Sequence, residues 1–318
     1  MKKSHVVWLL ASGCLWMAYS AEKDREFERA ILHGAEACFS LRVIDDFGQP
    51  VAGANVYTLL DMNFREKANF VDGCTSTNGE LRIAGKTTGN EIEFKISKNG
   101  YYSSSLSMSL ITRPGKEKVR DGKWQPWEET IVMRLRKVHN PILQGDQLMS
   151  LRAPATNSWI GLDLKLADWV KPFGKGEISN VELNVLWDGL PPDKSKLCIY
   201  NMRVCGRNNG LYWGDKISES EYAEAFAADI QRVFVTTNFV YEYYRKSWAT
   251  PKEDFWDNHE AIFRLRTITN DRGGVLSANY ASIRNCAISP GTRGRGALIE
   301  LRRVFNPTPN DTNLESKR

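Results

Sequence analysis

The chain lacks any run of eighteen apolar residues, and it is poor in the side chains that most often bind metals or act as nucleophiles. Its 318 residues include only four His and six Cys. The missing apolar run speaks against a transmembrane helix. The absence of C-x-x-C speaks against a zinc ribbon or a thioredoxin-type site. The absence of G-x-S-x-G removes a familiar serine-nucleophile motif.

Strong charge of one sign is also lacking. The formal net charge is +5, from 43 Lys and Arg against 38 Asp and Glu. Basic residues gather in two short runs, 113–123 and 293–303, which we interpret as solvated loops or strand edges. A nucleic-acid-binding protein usually presents a clustered basic face. We therefore expect no nucleic-acid partner.

Residues 1–20 have the layout of a secretory signal. Lys2 and Lys3 supply the charged start, residues 6–17 are mostly apolar, and residues 18–20 end in small side chains. This order of a charged, an apolar and a small-residue segment is typical of signals that are cleaved on export. It predicts a secreted or periplasmic protein.

Attachment to a membrane by a lipid anchor is the alternative localisation. Residues 10–14 are close to a lipobox and end in Cys14, so the chain would then be lipid-anchored through Cys14. Residues 21–35 form a charged leader, whose spacing of apolar residues allows either a short amphipathic helix or a flexible segment.

Five of the six cysteines lie outside the predicted signal, and because five is an odd number they cannot all pair within the chain. Cys38 and Cys74 fall in the first half of the sequence, and Cys198 and Cys205 in the second. Each pair is a candidate disulfide, or its members are small buried hydrophobic residues.

The turn that organises the first half is Asp45-Asp46-Phe47-Gly48-Gln49-Pro50-Val51-Ala52-Gly53-Ala54-Asn55-Val56. Asp, Gly and Pro favour turn conformations, and the small residues around Gly53 predict close packing of two chain segments. Together with Thr75-Ser76-Thr77-Asn78-Gly79 and Asn99-Gly100-Tyr101-Tyr102, this stretch resembles the carboxypeptidase regulatory-like domain. The resemblance covers residues 36–140. It implies a transthyretin-like β-sandwich that serves as an accessory module without catalytic residues.

We interpret residues 141–156 as a linker and residues 157–318 as a second, β-rich domain with one short helix. The helix is predicted from the capping box at residues 218–221 and the apolar stripe that follows as far as Val233. The motifs G-L-D-L, A-D-W-V-K-P-F-G-K-G and F-N-P-T-P-N-D-T-N-L-E resemble the C-terminal region of uncharacterised secreted bacterial proteins. That resemblance implies a shared architecture and no reaction. The predicted fold class is thus mainly β.

No complete catalytic motif is visible, and we expect no cofactor. His33 and Glu36 have the H-x-x-E spacing of zinc carboxypeptidases, but the chain has no room for the catalytic domain of that family. We interpret His33 as a surface residue beside the charged leader, and we expect no metal site.

Two groups of residues are candidate binding sites. Acid and aromatic side chains lie close in sequence at Trp159, Asp163, Asp168 and Trp169, a combination that binds or cleaves sugars, or else forms a turn beside a core Trp. The second group is Tyr212-Trp213 in the Gly-rich stretch 206–214. This aromatic pair is either exposed to a partner or glycan, or packed in the core.

These observations predict a secreted or envelope-associated, non-catalytic binding or structural protein. The expected partner is an envelope glycan or another extracytoplasmic protein. The alternative is a polysaccharide-acting hydrolase that uses acids of the C-terminal domain, such as Asp163 and Asp168. An enzyme is expected to show an open cleft in which catalytic polar groups converge.

Overall fold

The structure is a computed structural model that describes residues 25–61, 69–113, 118–142, 146–187, 197–214, 220, 222, 225–236, 239–244, 260–289 and 297–316. The predicted signal and Cys14 lie outside these residues. No helix in the described part of the chain is both long and apolar enough to cross a membrane. The chain divides into two compact units, residues 1–138 with 218–223, and residues 139–217 with 224–318.

The predicted fold class is confirmed, because the described residues are mainly β-strand, form four sheets and include one short helix. The helix, α1, spans residues 25–33 in the charged leader. The strands of the first unit are β1 Ala35–Ile44, β2 Asn55–Leu60, β3 Asn69–Cys74, β4 Glu80–Thr87, β5 Ile92–Ser97, β6 Ser104–Met108, β7 Val119–Arg120, β8 Lys123–Trp124 and β9 Glu129–Arg134. Those of the second unit are β10 Asp146–Arg152, β11 Trp159–Asp163, β12 Asp168–Trp169, β13 Val181–Trp187, β14 Leu197–Val204, β15 Gly210–Trp213, β16 Phe239–Tyr244, β17 Ala261–Thr269, β18 Val275–Ser289 and β19 Leu298–Phe305.

The first unit is a sandwich of two sheets. One sheet has the order β4-β1-β8-β7, with β9 pairing in parallel along β1, and the other has the order β3-β2-β5-β6. Apolar side chains from both sheets fill the space between them. The rings of Phe39 on β1 and Phe94 on β5 meet edge to face, with centroids 5.5 Å apart. Strands β2 and β5 alternate buried and more exposed side chains, as strands with one face on the core do.

The turn after β1 is held by a side chain of its own, Asp45, and by Thr75, which follows β3. Asp45 accepts hydrogen bonds at Oδ1 from the backbone N–H groups of Phe47 and Gln49, both at 2.8 Å. Thr75 accepts at Oγ1 from the N–H of Ala54 at 2.9 Å and donates to the carbonyl of Val51 at 2.6 Å. These bonds explain why Asp and Thr stand at these positions of the motif.

The expectation that Gly53 lies where the chain is crowded is wrong. A Cβ atom at Gly53 would have no neighbour within 4 Å, but the residue has φ +64°. Glycine is favoured there because other residues resist a left-handed backbone. Gly79 is crowded instead, since a Cβ atom there would lie 2.5 Å from the carbonyl oxygen of Val43.

The second unit also contains two sheets, with the orders β10-β19-β18-β17-β15 and β12-β11-β13-β14-β16. Buried apolar residues from both sheets form one cluster. The segment expected to be a linker includes β10, which pairs with β19 from Asp146↔Val304 to Arg152↔Leu298. Met149 is buried, whereas its neighbours Leu148 and Ser150 are exposed, so a polar-looking segment is in fact an alternating edge strand.

The helix predicted to run to Val233 is absent from residues 225–236. The backbone there pairs instead with the C-terminal segment: the N–H of Ala228 donates a hydrogen bond of 2.8 Å to the carbonyl of Thr312. Ile230 and Val233 are 57% and 78% exposed, so the apolar stripe buries no continuous face. The sequence has the apolar spacing of a helix, but pairing with a distant segment determines the backbone conformation of residues 225–236.

Candidate functional site

The carboxylate of Asp163, the last residue of β11, is buried and already hydrogen-bonded at both oxygens. The side chain is 1% exposed. Its donors, at 2.8–3.3 Å, are the backbone N–H groups of Lys165, Leu166, Glu177 and Ile178 and the Nη2 atom of Arg266. Burial raises the pKa of Asp163, but the N–H groups of Ile178, Glu177 and Leu166 and the charge of Arg266 lower it, and the pKa lies below its ordinary value.

Asp168 lies opposite Asp163 across the β11–β12 pair. It is half-buried and accepts from the N–H of Trp169 at 2.8 Å and of Lys175 at 2.9 Å. Gly174 is required beneath it, because a Cβ atom there would lie 2.6 Å from Oδ1 of Asp168. The two carboxylates therefore hold a tight turn together.

The geometry of Asp163 and Asp168 fits a structural role better than a role in acid–base catalysis. A carboxyl that acts as a general acid near neutral pH needs a raised pKa, whereas the pKa of Asp163 is lowered. Neither oxygen of Asp163 is left for a substrate, since both accept protein hydrogen bonds.

The two tryptophans of this group are held in different ways. Trp169 is buried and donates from Nε1 to the carbonyl of Arg152 on β10 at 2.8 Å. Trp159 is half-buried, and the guanidinium carbon of Arg203 lies 4.3 Å from its ring centroid. Arg203 also pairs with Glu182 at 2.5 Å. The group thus contains one core Trp and one Trp that a cation already covers.

Tyr212 and Trp213 lie on strand β15 and not in an open loop. Tyr212 is only 8% exposed, and its hydroxyl accepts a hydrogen bond of 2.7 Å from the N–H of Asp229. Burial raises the pKa of the Tyr212 hydroxyl. Trp213 is half-buried and packs against the core of the second unit. Of the two interpretations of this pair, exposure to a partner and packing in the core, the structure favours packing.

The cysteines of the described side chains are free thiols. Cys38 is buried on β1, Cys74 is exposed on β3, and Cys205 is partly buried after β14. Burial raises the pKa of the Cys38 and Cys205 thiols. The bridge between Cys38 and Cys74 is not formed. The side chain of Cys198 lies outside the described residues.

An open groove lies on the first unit, on the outer face of the sheet β3-β2-β5-β6. Its volume is about 840 Å³. The outward-pointing residues that line it are Asn55 and Tyr57 of β2, Asp72 and Cys74 of β3, Lys95 and Ser97 of β5, and Ser103 and Ser105 at β6. We refer to this feature as the outer-face groove.

Strand register arranges the groove residues in two rows across the sheet. In one row Tyr57 stands between Asp72 and Lys95, and Lys95 faces Ser105. In the other row Asn55 stands between Cys74 and Ser97. Neighbours within a row are close enough to contact one ligand together.

Aromatic and polar groups alternate over this surface. The rings of Tyr57 and Phe70 have centroids 5.5 Å apart and are tilted by 35°. Lys95 pairs with Glu93 at 2.9 Å. Cys74 donates weakly from Sγ to Oδ1 of Asn55 at 3.4 Å. The groove therefore offers an aromatic surface beside amide, hydroxyl, carboxylate and ammonium groups.

The sequence contains a signal for this site. Residues 55–60 alternate between exposed and more buried side chains, so a sandwich strand here must present Asn55 and Tyr57 outward. The aromatic residues considered as binding candidates from the sequence are expected there to lie in or near turns, whereas Tyr57 stands on a strand.

Metal-binding residues do not gather in the described part of the chain, where no three His, Cys, Asp or Glu side chains lie close enough to hold an ion. His33 ends α1 and Glu36 lies on β1.

No protein-family model matches the chain, and no curated protein matches it. Among solved structures, 3-chlorocatechol 1,2-dioxygenase from Rhodococcus opacus is 15% identical over 33% of this chain and 61% of its own, with a TM-score of 0.25. Chlorocatechol 1,2-dioxygenase from Pseudomonas putida is 13% identical over 33% of this chain and 60% of its own, with a TM-score of 0.25. A shaft pilin from Lactobacillus rhamnosus is 11% identical over 57% of this chain and 90% of its own, with a TM-score of 0.21. The chain thus spans less than two thirds of the dioxygenases, and likenesses this low carry no argument about function.

Proposed function

We propose that the protein is an exported, non-catalytic binding protein that holds its ligand in the outer-face groove. The observation that carries this proposal is the groove itself, which is open to solvent and lined by outward-pointing side chains of β2, β3 and β5 and of the start of β6. Its volume of about 840 Å³ falls in the usual range of ligand sites. The groove lies within residues 36–140, for which the sequence resemblance implies an accessory module.

The groove does not favour the hydrolase alternative. Glycoside hydrolysis usually needs two carboxyl groups that flank the scissile bond. The residues lining the groove include one carboxylate, Asp72. Asp163 and Asp168, the acids considered for that role, belong to the other unit and serve as hydrogen-bond acceptors of a turn.

Retention on bacterial cell-envelope fragments, which carry glycans and proteins alike, tests the proposal. We expect the full mature chain to sediment with the fragments. Ser97→Trp, which fills the groove from an exposed position, should abolish retention. Ser107→Trp is the matched control, because Ser107 is exposed on the same sheet but does not line the groove.

Equal retention of both variants, or no retention of the wild type, would contradict this assignment. The release of reducing sugar ends during the incubation would favour a hydrolase. Export is tested separately by N-terminal sequencing, which should find a mature chain that begins near Ala21, or a lipid-modified Cys14 for the anchored alternative.

A further inference from the structure

We infer that the ligand of the outer-face groove is a carbohydrate chain of low net charge, with one sugar ring placed against Tyr57. This inference rests on the proposed function and names the chemical class of its ligand. It follows from the size of the groove, the aromatic surface at its centre and the polar groups around that surface. It also follows from the strand backbones beneath the groove, which are already paired with neighbouring strands.

Tyr57 supplies the apolar surface that a sugar ring needs. Its side chain is 38% exposed at the centre of the row that joins Asp72 to Lys95. Phe70, which is 53% exposed, extends this surface beside Tyr57. A pyranose has one face of C–H groups that packs on an aromatic ring, while its hydroxyl groups point outward from the ring edge. An exposed aromatic side chain in a concave site, flanked by polar groups, matches that distribution.

The groups around Tyr57 match hydroxyl groups, which both donate and accept hydrogen bonds. Asn55 offers an amide, Ser97 and Ser105 offer hydroxyls, and Asp72 and Lys95 offer an acceptor and a donor. The pairing of Lys95 with Glu93 reduces its net attraction for anions. The groove is therefore suited to a ligand with many polar hydrogens and little net charge.

An extended peptide strand is disfavoured because the backbones beneath the groove are already paired. Strand β2 lies between β3 and β5, and β5 lies between β2 and β6. Addition of a peptide strand needs an edge with unpaired N–H and C=O groups. A ligand centred over β2 and β5 must be recognised by side chains, as a sugar is.

A nucleic acid is disfavoured by charge. Binding of single strands combines aromatic stacking with a positively charged groove that follows the phosphates. The outer-face groove contains one lysine, which already pairs with Glu93, and one carboxylate, Asp72. Asp72 would repel phosphate groups.

Calorimetric titration of the full mature chain with cellohexaose, maltohexaose, xylohexaose and chitohexaose tests the inference. We expect at least one of these neutral chains to bind. Tyr57→Ala should weaken that binding by about tenfold or more, whereas Tyr57→Phe, which keeps the ring, should stay within about threefold. Phe173→Ala is the control, because Phe173 is an exposed aromatic residue of the other unit.

A second variant separates binding from folding. Ser97→Trp removes no contact of the fold and should also abolish the titration signal, while circular dichroism melts of all variants should match the wild type closely. If no oligosaccharide binds but envelope retention still depends on Ser97, the carbohydrate assignment is wrong and the proposed function stands. If an oligosaccharide binds equally well to Tyr57→Ala and Ser97→Trp, the groove is not the sugar site. If neither binding nor retention occurs, both proposals fail.

Discussion

Arg266 on β17 donates from Nη2 to Oδ1 of Asp163 on β11 at 2.8 Å, and this bond joins the two sheets of the second unit. Arg266 has φ +53°, and the pairing of β17 with β18 shifts register between Leu265 and Ile268. A β-bulge redirects a side chain that a regular strand would aim elsewhere. The unusual backbone of Arg266 is thus explained by the buried carboxylate that its guanidinium reaches.

Asp163→Asn should destabilise the second unit by about 3–5 kcal/mol, because it removes the charge of one partner from a largely buried ion pair. It also replaces an oxygen that accepts backbone hydrogen bonds with an NH₂ group. Urea unfolding of the full chain, with hydrogen exchange of the β11 and β17 amides to locate the loss, measures the effect.

Asp168→Asn is the matched control for this variant. Asp168 is half-buried and pairs with no cation among the described residues, so we expect a loss of only about 1 kcal/mol. Equal losses for the two variants would show that the turn, and not the buried ion pair, carries the stability.

The stability of the second unit should fall in acid through Asp163. Its pKa is lowered in the folded chain, so its contribution is fully present above the unfolded pKa, about 3.9. That contribution decreases as the pH falls from this value through the lower folded pKa. Urea unfolding at pH values between 6 and about 2.5 should show the decrease in the wild type, and Asp163→Asn should show a shallower slope. Identical slopes would contradict the lowered pKa.

Local sequence chemistry predicted the turns of the first unit well. Asp45 accepts from the backbone N–H groups of Phe47 and Gln49, so its role follows from a few neighbouring residues. Thr75 instead bonds to Ala54 and Val51, which lie 21 and 24 positions away, so its role depends on the fold. The prediction of a helix up to Val233 was wrong. The apolar spacing on which it rested carries no information about the pairing of Ala228 with Thr312, 84 positions away. Contacts of this kind depend on the whole fold, which local periodicity does not contain.

The outer-face groove illustrates the same limit for function. Asp72, Tyr57 and Lys95 become neighbours only through the register of three strands. A shift of one residue would turn Tyr57 into the core and remove the groove. The pattern of a strand therefore indicates which of its own side chains share a face, but not which residues of different strands meet.

Gly53, which lies just before β2, and Gly79, which lies just before β4, should respond differently to substitution. Gly53 has a left-handed backbone in open space, so Gly53→Asn should be tolerated, while Gly53→Val should cost about 1–2 kcal/mol through backbone strain. Gly79→Ala should cost more, because its Cβ atom would collide with the carbonyl of Val43. Thermal melts of the full chain rank the three variants. A loss for Gly53→Asn as large as that for Gly53→Val would argue against backbone conformation as the cause.

Tyr212→Ala combined with Trp213→Ala should unfold the second unit far more readily than the wild type. Tyr212 packs edge to face on Phe234, with centroids 5.1 Å apart, and its truncation alone should cost about 3–5 kcal/mol. Tyr212→Phe keeps the ring but leaves the N–H of Asp229 without its acceptor, so we expect about 1–2 kcal/mol. Denaturant unfolding measures both losses, and envelope retention measured on still-folded Tyr212→Phe should equal that of the wild type. A double mutant of unchanged stability that no longer binds would return the contact surface to this pair and away from the outer-face groove.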